Sequence, residues 1–316
     1  MAVSTATPTA APAFQLEGVG TRRRVVNGVM TVLVVLAFVL AMTPLISVTW
    51  SVIAEGFKQL SPYFLTHSMR GVVGGAETGG IYHAMLGTVL ITLAATVISV
   101  PIGLFTAVYL VEYGKGPLAR WVTFFVDVMT GIPSIVAGLF AYALFAVLLG
   151  PSAKFGLIGA VALSVLMTPV VVRSSEEMLR LVPNELREAA LALGVPKWLT
   201  VVKVVLRTAV AGLTTGVMIA IARVIGETAP LLLTVGFTDS INRNLFEGRM
   251  MTLPVFIYSS WHKGYVPCNA GDLACNTNIN FERAWAAALT LIVIVMLLNL
   301  VARLIARFFA PKTGTH

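Results

Sequence analysis

VVNGVMTVLVVLAFVLAMTPLISVTWSVIA, residues 25–54, contains no Asp, Glu, Lys or Arg. A helix needs about 20 apolar residues to cross the hydrocarbon core of a bilayer. Further uncharged runs cover Thr78–Val111, Phe155–Val172 and Ala284–Ala302. Trp121–Ala153 holds one charge, Asp127, and Thr208–Thr238 holds two, Arg223 and Glu227. These six runs predict an all-α polytopic membrane protein with six transmembrane helices. None alternates apolar and polar residues with period two, which argues against a β-barrel.

Composition agrees. Of 316 residues, 22 are Lys or Arg and 14 are Asp or Glu, so 11% are charged, while 57% are hydrophobic. Soluble domains carry about 25% charged residues. A soluble enzyme, a disordered chain and a disulfide-rich secreted module are thereby excluded. The net charge of +8 reads as basic residues kept on the cytoplasmic face, with no call for nucleic acid. With the N-terminus inside, inner segments hold fourteen cations: Arg22, Arg23, Arg24, Lys115, Arg120, Arg173, Arg180, Arg187, Lys197, Lys203, Arg207, Arg303, Arg307 and Lys312. Outer segments hold seven: Lys58, Arg70, Lys154, Arg243, Arg249, Lys263 and Arg283. This bias predicts that both termini are cytoplasmic. Residues 1–21, rich in Ala, Thr and Pro, read as a disordered tail, with a transmembrane domain over 22–316. Arg22–Arg24 precede an apolar run too long for a signal-peptide core, so the first helix reads as a retained anchor.

Cys268 and Cys275 fall in a long outer loop, about 239–283. Their spacing is not CxxC, so a disulfide closing a small loop in an oxidising space is favoured over a metal or redox pair. No metal site is expected. His67, His83, His262 and His316 read as surface residues, and Glu176-Glu177 as a solvated face. No nucleophile–base motif accompanies them, so no catalytic residue and no bound cofactor are assigned.

The inner loop RSSEEMLRLVPNELREAALALGVPKWLTVVKVVLR, residues 173–207, interrupts the apolar runs. Asn184 is placed to cap a helix that has Glu185 in its first turn, and Gly194 and Pro196 are placed to stop it. Leu186, Ala190 and Leu193 would share one face, fit for docking. Glu188-Ala189-Ala190-Leu191-Ala192-Leu193-Gly194 resembles the EAA-x3-G signature of permease subunits of ABC importers. That resemblance implies a coupling helix, about 184–194, that fits a cleft on a separate ATPase, with Glu185, Glu188, Ala189, Ala190 and Gly194 as its coupling residues. The family pattern continues to I-x-L-P, whereas this chain has Val204-Val205-Leu206-Arg207, so Arg207 replaces the proline. There is no G-x4-G-K-[ST] loop, so this chain carries no ATPase of its own.

Arg223 and Glu227 are charges inside an apolar run. Placing Arg there costs at least about 2.5–3.5 kcal/mol, and such residues face a bundle interior. Spacing of four puts Glu227 one turn above Arg223 on the same face. Two readings stand: a buried ion pair that locks the bundle, or an Arg fork offered to an oxyanion, with Glu227 holding it when the site is empty. Asp127 is a second candidate partner for Arg223, or lies at the inner headgroups. Ile132-Pro133-Ser134 and Ala229-Pro230 either shape a polar path or are ordinary membrane-helix packing.

The segment Ala222–Leu232 (ARVIGETAPLL), the segment Asp127–Leu139 (DVMTGIPSIVAGL) and Met251-Thr252-Leu253-Pro254-Val255 resemble the A-type permease subunit of phosphate ABC importers (PstA). The resemblance implies a type I ABC importer permease fold in a bacterial inner or plasma membrane. It implies a substrate path drawn from Arg223, Glu227, Thr228, Asp127 and Ser134. It also implies inorganic phosphate as substrate and, as partners, a C-type permease subunit, a dimer of phosphate ABC ATPases holding ATP and Mg, an extracytoplasmic phosphate-binding protein and membrane lipid. The competing classes are an ion-coupled secondary anion transporter, which would need inverted repeats and more embedded acids, a membrane enzyme, and an ABC permease for another oxyanion.

Overall fold

The computed structural model describes residues 20–268 and 275–309, so nearly all of the expected tail lies outside the described residues. The elements in order are α1 (Thr21–Gln59), α2 (Pro62–Thr66), α3 (Tyr82–Val108), α4 (Pro117–Thr130), α5 (Ser134–Leu149), α6 (Gly156–Arg180), α7 (Asn184–Ala192), α8 (Lys197–Thr200), α9 (Leu206–Val224), α10 (Ala229–Thr234), α11 (Leu253–Lys263) and α12 (Ile279–Phe309). A π-turn, Tyr109–Tyr113, extends α3, and a second, Val201–Val205, joins α8 to α9. Among the described residues, β pairing is limited to one isolated bridge, Ala76–Cys275. The all-α architecture expected from the uncharged runs is therefore present.

Among the described residues, those up to Ser51 form one compact unit and those from Val52 a second. In the first, the apolar side chains of α1 are exposed, Leu40 by 76%. That suits a helix whose solvent is lipid. In the second, four helical runs are long and apolar enough to cross a membrane: Tyr82–Tyr113, Gly156–Arg180, Lys197–Val224 and Ile279–Val301. With α1 they make five, or six if α4 and α5 count as one broken span.

Three expected spans differ in shape. The run 121–153 is no straight helix: α4 and α5 meet at 107°. Pro133 lacks an N–H and pushes the preceding residue out of the helical region, so the chain turns at Gly131-Ile132-Pro133. The run 208–238 is likewise broken. Helix α9 ends at Val224, and α10 starts only at Ala229, with Pro230 in its first turn. Conversely, α6 runs on to Arg180, well into what was expected to be the loop beginning at Arg173. The outer segment 239–283 also holds structure, containing α11 and the start of α12.

Helices α3 and α6 form the centre of the second unit. Ile91 and Ala95 of α3, Leu163, Met167 and Val171 of α6, and Ala220 and Val224 of α9 are buried in one cluster. A smaller cluster at the C-terminal ends of α3 and α6 gathers Ala107, Leu179, Val182, Val205 and Leu213. The Met251-Thr252-Leu253-Pro254-Val255 segment is buried against α3. There the Leu253 N–H donates to Thr88 Oγ1 at 2.8 Å, and a Cβ on Gly87 would lie 2.0 Å from the Met251 carbonyl oxygen. Two expectations of surface placement are corrected in the same region. His83 is buried, edge-on to Phe256 at 5.7 Å. Arg283 is buried at the start of α12, where it donates to the carbonyls of Ala76 at 2.5 Å and Thr78 at 2.8 Å. Backbone oxygens thus hold a cation that the sequence alone places in water.

Thr88→Val keeps the shape of the side chain but leaves the buried Leu253 N–H unpaired. It should cost about 1–3 kcal/mol, read as a lower melting midpoint of the detergent-purified protein. Thr88→Ser should lie near the parent, and equal midpoints for all three proteins would refute the role of this bond.

Candidate functional site

Two groups of predicted residues come together in different places. The first lies at the breaks. Thr228 sits at the N-cap position of α10, and Ser134 is the first residue of α5. One turn into α5 and in the first turn of α10 the helices touch: a Cβ on Gly138 would lie 2.5 Å from Pro230 Cα. On its other side, α10 packs Leu231 and Val235 against Gly159 of α6. Beside Thr228 a cavity of about 340 Å³ is lined by Pro254, Ile257, Tyr258, Trp261 and His262. Non-helical backbone at membrane depth is tolerated only where protein covers it or a cavity hydrates it. Of the residues at the breaks, Gly131, Pro133 and Gly226 are exposed, while Ile132, Glu227 and Thr228 are half-buried.

Arg223 occupies the last turn of α9, where a cation is favoured by the helix dipole. Its side chain is exposed, and Glu227 is half-buried. The helix ends between them, so the one-turn stacking expected of a continuous helix is not formed, and no ion pair joins them among the described residues. Asp127 does not serve Arg223 either. It lies on α4 and pairs with Arg173 of α6. Arg173 also binds Glu176 at 2.8 Å, and Arg180 binds the same carboxylate at 2.5 Å. Glu176, expected on a solvated face, is therefore a buried carboxylate between two guanidinium groups, while Glu177 is exposed.

The second group surrounds α7. The helix spans Asn184–Ala192, with Pro183 rather than Asn184 at its N-cap and no side-chain cap. Asn184 instead accepts from Arg187 Nη1 at 3.0 Å. The C-terminus closes as the sequence predicts. Gly194 takes φ +77°, its N–H donates to Leu191 O at 2.9 Å, and the Val195 N–H donates to Ala190 O at 3.1 Å. Those paired bonds and the positive φ make Gly194 the glycine of a Schellman ending. Glu185, Glu188 and Ala189 are exposed, as are Leu191 and Leu193, whereas Ala190 is buried in its own chain. The face imagined for Leu186, Ala190 and Leu193 is thus split between the chain and its surroundings.

Arg187 is the residue that the sequence reading missed as a site. Its Nε donates to Glu112 Oε1 at 3.0 Å, Nη1 to Val182 O at 2.5 Å, and Nη2 to Leu179 O at 2.8 Å. Lys197 donates to the Glu112 carbonyl and lies 4.9 Å from the centre of the Tyr113 ring. The available signal was weak: Arg187 is three residues before buried Ala190, hence on the same inward face. From Lys197 to Val224 the chain is one helical run of 28 residues, about 42 Å long. Arg207, in place of the family's proline, lets this run pass unbroken. This run, with the π-turn Val201–Val205 within it, leads from beside α7 to Arg223. Away from both groups, Cys268 and Cys275 are bonded, their Cα atoms 5.8 Å apart.

Comparison with known proteins adds a family. Residues 99–315 match the family described as the binding-protein-dependent transport system inner membrane component. The chain is 48% identical over 293 residues to the phosphate transport system permease protein PstA 1 of Mycobacterium tuberculosis strain CDC 1551 / Oshkosh, covering 92% of this chain and 91% of that one. It is 45% identical to PstA of Mycobacterium leprae, covering 91% of each, and 35% identical to PstA of Haemophilus influenzae, covering 92% and 96%. Among solved structures, the MetNI methionine ABC transporter in an inward-facing conformation matches with TM-score 0.54 at 20% identity, covering 80% of this chain and 100% of that one. A bacterial alginate ABC transporter matches with TM-score 0.62 at 12% identity, covering 92% and 97%. These likenesses show the fold, the type I ABC importer permease fold expected from the sequence.

Gly138→Val would drive a side chain into the backbone at Pro230. The overlap should cost at least about 1–3 kcal/mol and lower the melting midpoint in detergent. Gly138→Ala should cost less, and an unchanged midpoint for the Val variant would refute the close contact.

Proposed function

The chain belongs to the family of binding-protein-dependent transport system inner membrane components, and from that premise we propose that it passes phosphate through an ATP-driven importer. Family membership makes it a multi-span permease subunit and not an enzyme in its own right. Three relatives named as phosphate transport permeases, each matched over nine-tenths of this chain, support phosphate as the substrate.

The observation that carries the reading is Arg223. It is a permanently charged fork, exposed at the end of a long apolar helix, beside a break and without a carboxylate at ion-pair distance among the described residues. An oxyanion can use two parallel N–H donors there. Glu227, Thr228 and Ser134 lie at the adjoining breaks and belong to the same path in this reading. One cation attracts the anion without a cage that would hold it. Asp127, bound to Arg173, acts on the packing of α4 against α6.

In this cycle a phosphate-binding protein docks on the outer segments, with the termini cytoplasmic. A C-type permease subunit supplies the other half of the path, and an ATPase dimer, holding ATP and Mg, pushes α7 through Glu185, Glu188 and Ala189. The 28-residue run from Lys197 carries that displacement toward Arg223. Both cysteines sit on the oxidising side, which suits their bond.

Arg223→Gln should lower phosphate uptake about tenfold or more while the complex still co-purifies. Uptake at the parent rate would remove Arg223 from the path. Separately, Gly194→Val forces a β-branched residue to φ +77° and should weaken ATPase co-purification or uncouple hydrolysis from uptake. Parent-level ATP-driven uptake in that variant would refute the role of α7.

A further inference from the structure

The most heavily used side chain in the chain is Arg187, and its role follows from what its bonds tie together. Arg187 belongs to α7, Leu179 to the end of α6, Val182 to the turn between them, and Glu112 to the π-turn that closes α3. One guanidinium group reaches all three neighbours. The side chains of Arg187 and Glu112 are only 15% and 7% exposed, so little water competes for these bonds. Lys197, from the first turn of the run that leads to Arg223, grips the same π-turn through the Glu112 carbonyl. Four elements therefore converge on five residues.

The geometry also says why an arginine is needed. The planar fork presents donors in fixed directions, so one residue satisfies a carboxylate and two backbone oxygens at once, which a lysine ammonium cannot match in shape. The Leu179 carbonyl lies in the last turn of α6, where helical carbonyls lack i+4 partners, and the Val182 carbonyl lies in the turn beyond it. The π-turn Tyr109–Tyr113 replaces the regular i→i+4 ladder with i→i+5 bonds, an interruption that recurs at functional sites. Without a clamp, a push on α7 would be absorbed there.

We propose that Arg187 and Glu112 form a clamp that locks α7 to the inner ends of α3 and α6, so that displacement of α7 moves these helices as one body. Arg187 and Glu112 are positioning residues: they touch neither phosphate nor ATP. The proposal rests on the reading of α7 as the coupling helix.

The test uses the assembled importer, with spin labels at exposed positions 192 on α7 and 115 beyond the π-turn. The unmodified clamp should give one narrow distance that is the same with and without ATP. Glu112→Gln and Arg187→Lys should broaden it or make it differ between the two states. In proteoliposomes with inorganic phosphate as the probe, the same variants should lose about fivefold or more of uptake per ATP hydrolysed, while the ATPase still co-purifies. If Arg187→Ala fails to assemble, the two conservative variants carry the test. A narrow, ATP-independent distance in both variants would overturn the clamp, as would uptake and hydrolysis falling in parallel. If the parent complex moves no phosphate on ATP, the permease reading fails, and the distance measurement still decides the clamp.

Discussion

Backbone that leaves the helix inside apolar surroundings must be covered by other protein, since no water is there to bond it. The contact of Gly138 with Pro230 packs together the helices that flank the breaks, while Gly131, Pro133 and Gly226 at the breaks themselves are exposed. Gly131-Ile132-Pro133 turns α4 into α5 through 107°, and Gly226 with Pro230 separates α9 from α10. One turn into α5 and in the first turn of α10, the two helices meet closely enough that any larger side chain at 138 would strike the other backbone. Helix α6 covers the opposite side of α10. The prolines that would weaken two straight spans instead produce two bends that support each other.

Charges follow the same economy. Glu176 lies between Arg173 and Arg180, Asp127 ties α4 to Arg173, Glu112 meets Arg187, and Arg283 is capped by two carbonyls. Each of these groups is matched within the chain, and for the little-exposed ones, Glu176, Glu112, Arg187 and Arg283, burial requires it. Arg223 is the contrast, exposed and set where the helix dipole ends. That difference separates charges that hold the helices together from one available to an anion in transit.

Several features were legible because they depend on neighbours in sequence. Uncharged runs located the helices, and the Gly194–Pro196 stop located the end of α7. The Arg223–Glu227 pairing failed for a definite reason. Spacing of four implies contact only along an unbroken helix, and Gly226 with Pro230 ends the helix between them. Hydropathy also averages over short interruptions, so 121–153 and 208–238 look like straight spans. Arg187 and Glu112 were read apart because they lie 75 positions apart in sequence. Glu176 looked solvated because its two guanidinium partners become partners only once the loop is wound into α6.

What the sequence by itself determined is the apolar surroundings of this protein, its helical class and the short element between α6 and α8 that ends at Gly194. All of these follow from local composition and the 3.6-residue period. The tertiary structure alone decided which charges are spent on each other, where the spans bend and which single side chain joins α7 to α3 and α6. Those outcomes depend on distances between segments remote in the chain. They are set by packing Gly against Pro and by the reach of one planar guanidinium group, neither of which local sequence records.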